Sequence, residues 1–245
     1  MLGLGNRIGK TTLVAPGIVT SNLKMLHRYN TGAVVPVSDG AVYTDGSGHI
    51  NMGDNGDRGT GDVSVGCWFY PVTDTVQGAG LVAKQTNYNA NSLGFGLYYR
   101  HTATKIYFNI GDTSAGSRTD KDITAIGLSE YQWIHAVGTY DQSTGVNLLY
   151  INGIAQDSAT QSGLGTLDNS LNLKIGHAGE YFKGYIANAF LSSSVLTQAR
   201  IKSIMWKSYA GLTTDDTSGL VSWWDLSTNA EDPHGGVDGA LSGTV

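Results

Sequence analysis

Apolar and polar residues alternate along most of this chain. Val63, Val65, Cys67 and Phe69 share one face of VSVGCWFYPV, residues 63–72. Leu93, Phe95, Leu97 and Tyr99 do the same in LGFGLYYR, and Ile106, Phe108 and Ile110 in KIYFNIG. A period of two puts every second side chain on one face of a strand. GLVAKQ, WIHAVGTYD, VNLLYING, LNLKIG and GYIANAFLS continue the series, and pairs such as Asp45-Gly46 punctuate it. Strands recurring at roughly 10–15 residues predict a sandwich or barrel. One segment changes period. In VLTQARIKSIMWKSYA, residues 195–210, Ile201, Ile204, Met205 and Ser208 fall on one helical face, with Thr197 at the N-cap position. The polar run Asp120-Lys121-Asp122 reads as loop. Residues 1–22 show no period, and Gly3, Gly5, Gly9, Gly17 and Pro16 oppose regular structure. They read as an extended arm or as a disordered terminus. LKMLHRY, residues 23–29, alternates again and reads as a lead-in strand.

Composition narrows the function classes. The 34 glycines and only 14% charged residues suit many short strands joined by tight turns. A net charge of −5 without any basic run argues against a nucleic-acid surface. No apolar run approaches the roughly 18 residues of a membrane span, so no membrane partner is expected. The apolar stretch at 13–15 is too short for a signal peptide. The single cysteine, Cys67, excludes an internal disulfide and reads as a small buried hydrophobe. Gly5 to Gly9 encloses three residues where a phosphate loop needs four, so nucleotide binding is not expected. The six histidines lack metal-ligand spacing, and His135 reads as a strand histidine with a hydrogen-bond partner.

Several segments in a fixed order point to one family. Val42 to Asp54 reads VYTDGSGHINMGD, and Gly61 to Pro71 reads GDVSVGCWFYP. Trp133 to Asp141, Leu149 to Gly153, Leu171 to Gly176, Phe182 to Ile186 and Leu196 to Ile204 follow. Together they resemble the laminin G-like domains of the concanavalin A-like lectin/glucanase superfamily. The resemblance spans about residues 41 to 210. It implies an all-β fold: a concanavalin A-like jelly-roll β-sandwich with one short helix, here preceded by an extended N-terminal arm. The expected organisation is an arm and lead-in strand over 1–40, the sandwich over 41–211, and a C-terminal segment over 212–245. The family's opening aromatic strand is missing from its usual place. SGLVSWWDL (218–226) and EDPHGGVDGAL (231–241) look like it. This segment is expected to supply the missing strands, within its own subunit as a circular permutation or in a neighbour as a strand swap.

The resemblance also implies candidate sites. Hydrolases of the superfamily use a carboxylate pair in a Glu-x-Asp-x-x-Glu strand. Glu130, Glu180 and Glu231 stand in no such motif, so no enzyme activity is expected. Some members bind calcium near the opening Asp-x-x-Gly turn. The matching residues are Asp232 and Asp238, whose other reading is turn capping. No other cofactor is implied. Sugar binding needs an aromatic platform beside amide groups. Tyr88, Asn89, Tyr98, Tyr107 and Tyr181 are the candidates, with Asn87 and Asn91 nearby. Trp68 and Trp133 read as core. Finally, residues 15–20 and 23–46 resemble leaders of laminin G-like proteins of tailed bacteriophages. The first expectation is therefore a non-enzymatic structural protein located in the virion, either a head decoration (cement) protein or a fibre subunit. It would self-associate and hold other virion proteins through its arm. The alternative is a lectin-like module that recognises cell-surface glycans.

Overall fold

The computed structural model describes residues 36–38, 40–89, 92–227 and 230–245. The expected arm over 1–22 and lead-in strand over 23–29 lie outside them. The strands, in chain order, are β1 (Val42–Asp45), β2 (His49–Asn51), β3 (Val63–Pro71), β4 (Ala79–Lys84), β5 (Gly94–Arg100), β6 (Lys105–Gly111), β7 (Gly116–Asp122) and β8 (Ile134–Asp141). Then follow β9 (Val146–Ile151), β10 (Ile154–Thr160), β11 (Lys174–Ile175), β12 (His177–Ala178), β13 (Glu180–Tyr181) and β14 (Lys183–Ser192). Helices α1 (Gln198–Ile204) and α2 (Thr214–Thr217) precede β15 (Leu220–Trp224) and β16 (Ala240–Ser242).

Two sheets result. One has the order β1-β14-β3-β8-β9-β10, with β15 also on β14. The other runs β16-β2-β11-β4-β5-β6-β7, with β12 and β13 attached. The sheets stack as a concanavalin A-like jelly-roll sandwich. Alternation decides which side chains meet between them. Val63, Val65, Cys67 and Phe69 face Leu97, Tyr99, Phe108 and Ile110 there, together with Trp224. Burial holds the Cys67 thiol far above its usual range, so it stays protonated. Between β9 and β10, Asn152 (φ 49°) and Gly153 (φ 72°) both adopt left-handed backbone, as a two-residue hairpin turn requires.

The outer face of the first sheet is covered too. Ile201 and Ile204 of α1 pack on Val137, Tyr150, Phe190 and Trp223. Thr197 caps this helix, its hydroxyl accepting from Arg200 N at 3.3 Å. The helix ends at Ile204, well short of the expected 210. Tyr209–Gly211 forms a separate 3-10 turn, because the Ile201-Ile204-Met205 contacts are complete by then. Trp68 is buried as expected, but on this outer face beneath Met205, whose carbonyl receives its Nε1–H at 2.8 Å. His135 lies against it, with ring centroids 5.1 Å apart. Its buried Nδ1 finds no partner, contrary to expectation.

The C-terminal segment closes two edges. Leu220–Trp224 pairs antiparallel with the second half of β14, while β1 pairs with the first half, Lys183 to Ile186. The two strands thus lie end to end along one side of β14. β16 pairs with β2 at the rim of the other sheet. One expected loop is a strand: Asp120, Lys121 and Asp122 pair with Tyr107, Ile106 and Lys105. They form an edge, where polar side chains keep their water and no apolar alternation is needed.

Candidate functional site

The C-terminal turn holds both calcium candidates. Asp232 is buried, and its Oδ1 accepts from the backbone N–H of Trp223 (3.0 Å), His234 (3.1 Å) and Gly235 (2.8 Å). Its Oδ2 accepts from Val237 N at 3.3 Å. Asp238 Oδ1 accepts from Asp232 N at 2.9 Å. A carboxylate ringed by amide donors is already satisfied and faces partial positive charge, which repels a cation. Asp232 and Asp238 therefore lock the turn beneath Trp223. Among the described residues no group of three His, Cys, Asp or Glu side chains stands together. Asp232→Ala is expected to cost about 1–3 kcal/mol by orphaning these amides. A melt in calcium should match one in chelator, before and after the change; a calcium-dependent shift in the parent protein would restore the cation reading.

The five tyrosine and asparagine candidates separate on burial. Tyr98 is fully buried on the outer side of β5, with its hydroxyl 2.8 Å from Asn87 O and 3.1 Å from Gln85 Oε1. Tyr107 is 3% exposed, stacked under Tyr88 (6.2 Å) with the Arg118 guanidinium 4.9 Å from its ring centroid. Neither ring has a free face, so both are corrected from sugar platform to structural support. Their outward strand positions are roofed by the loop after β4. Tyr88 is half-buried in that roof, its ring filling the place where Gly78 lacks a side chain. Asn89 is exposed, with its N–H held by Asn87 Oδ1. Tyr181 is half-buried and packs on His177 with centroids 4.2 Å apart.

Tyr181 leads to a concavity that sequence reasoning missed. It has a volume of about 410 Å³ and is walled by Thr86, Ser170, Asn172, Lys174, His177 and Gly179, among others. That lies near the lower end of ordinary small-ligand clefts, roughly 300–1,000 Å³. One wall is the 170–172 segment. The buried Lys84 fixes it by donating to Leu171 O at 2.7 Å while pairing with Asp54 at 2.6 Å and Asp57 at 3.2 Å. Asn169 ties the same segment down, donating to Lys84 O at 3.2 Å and accepting from Leu171 N at 2.9 Å. The other wall is the tight β12–β13 turn at Gly179, which abuts Asn87.

His177 is the chemical centre of this wall. Its Nδ1 is 3.4 Å from Lys174 Nζ, and its ring lies 5.2 Å from that of His49. Burial first, then Lys174 and His49, push its pKa down to about 4. Neutral His177 accepts a hydrogen bond from the Lys174 ammonium at Nδ1, which leaves its Nε2 as a donor. His49 is 9% exposed, and its buried Nδ1 has no partner.

A second concavity lies on the opposite sheet, about 220 Å³ between Tyr70, Trp133 and Tyr185. Tyr43 tilts onto Tyr185 at 4.8 Å, and both are about two-fifths exposed. Trp133, expected in the core, is a half-buried member of this group. Elsewhere, the glutamates Glu130 and Glu180 are engaged in loop contacts. Glu130 accepts from the Thr73 hydroxyl at 2.7 Å and faces His101, and Glu180 accepts from Gly78 N at 2.6 Å.

The β-sandwich just described agrees with a family match. A laminin G family model, described as the concanavalin A-like lectin/glucanases superfamily, matches residues 44–202. The chain belongs to this superfamily. Solved structures of the same fold include a Bacteroides ovatus protein described as carbohydrate binding, at 17% identity and TM-score 0.58. That match covers 82% of this chain and 59% of the other, so the chain spans well under two thirds of that protein's length. The CBM40 module of Ruminococcus gnavus IT-sialidase, bound to α2,3-sialyllactose, matches at 11% identity and TM-score 0.52 over 69% of this chain and 99% of the other. A heptameric SAP-like pentraxin from Limulus polyphemus matches at 13% identity and TM-score 0.50, over 70% and 84%. Identities this low establish a shared fold and no shared ligand. No curated protein sequence matches the chain.

Proposed function

We propose that this domain binds glycans without cleaving them, in the concavity between the 85–89 loop and the β12–β13 turn. The observation that carries the reading is the wall itself. Hydroxyl, amide, ammonium and imidazole donors converge on an open, pre-formed cleft, and hydrogen bonds from Lys84 and Asn169 hold it in place. Such a cleft matches a polyhydroxylated ligand, which needs many directional contacts and little apolar area. Two proteins with this fold add support, one described as carbohydrate binding and one holding sialyllactose. Of the sequence candidates, Tyr181 contributes by backing His177.

The test is a glycan array read with two double variants. Asn172→Ala with His177→Ala should abolish saturable binding, and Trp133→Ala with Tyr185→Ala should leave it intact. The reverse pattern would move the site to the aromatic concavity, and an array with no binding sugar would end the reading. A structural role in a phage particle draws on the resemblance of residues 15–20 and 23–46 to phage leaders. Most of those residues lie outside the described ones, and no described contact adds to it, so sugar binding stands first.

A further inference from the structure

The charge around the cleft says which glycans it suits. Lys174 forms no ion pair among the described residues. No aspartate or glutamate lines the cleft. Over the whole chain, by comparison, acidic side chains outnumber basic ones by 20 to 15. Contrast Lys84, which is buried nearby and answered by two aspartates. Around Lys174 the neighbours are instead His177 and, through it, His49. Each of the two imidazoles loses basicity to burial and to the Lys174 charge, so the lysine's field reaches both. His49 also keeps a buried ring nitrogen without a partner.

An uncompensated ammonium beside imidazole, hydroxyl and amide donors describes a host for an anion. Carboxylate oxygens accept several such hydrogen bonds at once, and charge-assisted bonds are about twice as strong as neutral ones. Resting on the glycan-binding reading, we infer that the cleft selects sugars bearing a carboxylate, sialic or uronic acids, with Lys174 as the ion-pairing residue and His177 Nε2 as a second donor. The neutral ring hydroxyls of such a sugar would face Ser170, Asn172 and Thr86.

The full chain should be titrated by calorimetry with α2,3-sialyllactose, a glucuronate-containing disaccharide, lactose, and a sulfated lactose. At least one carboxylated sugar is expected to bind at least about tenfold tighter than lactose, as one charge-assisted hydrogen bond allows. That preference should shrink as salt is raised. Lys174→Gln should remove the preference for the acidic sugar while leaving the melting temperature unchanged. Equal binding of lactose and the acidic sugars would overturn the inference and leave the glycan reading standing. So would a preference that survives Lys174→Gln. Preference for the sulfated sugar alone would replace carboxylate by sulfate and also overturn it. Binding of no sugar at all would remove the glycan reading together with the inference.

Discussion

Replacing Trp224 by alanine should destabilise the domain by about 3–5 kcal/mol, the usual cost of truncating a buried tryptophan. Trp224 is fully buried between the sheets, in the last strand to pair with β14. Its Nε1–H is satisfied by Val237 O at 2.9 Å, so the change opens a cavity and orphans a carbonyl in the turn that Asp232 organises. For a domain of this size the melting temperature should fall by roughly 10 °C. Urea unfolding should show a lower midpoint at unchanged slope, the mark of lost stability without altered compactness. Leu241→Ala on β16 is the control, since Leu241 is 55% exposed and should shift stability by less than about 0.5 kcal/mol. A Trp224→Ala loss below about 1 kcal/mol would mean that β15 does not seal the core.

Stability should also fall steeply as pH drops below about 6.5, before the carboxylates titrate. Burial holds His135 neutral and pushes its pKa down to about 3. Between 6.5 and about 3 the unfolded chain therefore binds a proton that the folded chain refuses. Stability then rises with pH across that window and is lost as pH falls through it. The slope for one such group approaches about 1.4 kcal/mol per pH unit. His49, His101 and His177 are shifted the same way, mainly by burial, so the measured slope should exceed that of one group. Asp112 and Asp216 are shifted down by hydrogen bonds and, for Asp216, by Lys207, so their contribution is lost only below about pH 4. His135→Leu suits the apolar pocket beside Trp68. It should flatten the dependence between pH 6.5 and 4.5 by about one proton, measured as urea midpoints against pH. An unchanged slope would place the acid sensitivity elsewhere.

Strands buried on one face were legible because alternation survives wherever one side is dry. Gly94–Arg100 and Lys105–Gly111 lie within a residue of where the pattern puts them. β7 was not legible, because the two residues it buries on its inner face, Ser117 and Thr119, are polar, so Gly-Ser-Arg-Thr-Asp-Lys-Asp carries no apolar period. The strand at Trp223-Trp224 was readable, because two adjacent tryptophans in a β run need two apolar faces. Here Trp224 enters the inter-sheet core and Trp223 the layer under α1. The candidate site was mostly hidden. Thr86 and Ser170 look like ordinary loop residues and Asn172 and Lys174 like ordinary polar positions of the LNLKIG strand, and it is the pairing of β11 with β4 that brings their segments together. The tyrosines misled because a ring on an outward strand position can be roofed by a loop. No local pattern in 93–107 announces that Tyr88 and the 85–89 loop will do so.

The shared edge of β14 also orders events at the ribosome. β3, which flanks β14 on its opposite side, is made well before it. Roughly 110 residues separate them, on the order of ten seconds of translation at 5–20 residues per second. β1 can cover only the first half of β14 once that strand emerges. The second half stays an open hydrogen-bonding edge, with an unfilled slot for Trp224, until β15 follows. A nascent chain of this protein therefore exposes that half-edge, a template for strand pairing, until residue 224 clears the tunnel. Stalling within that interval, rather than misfolding of the finished domain, is the step at which chains would pair with one another.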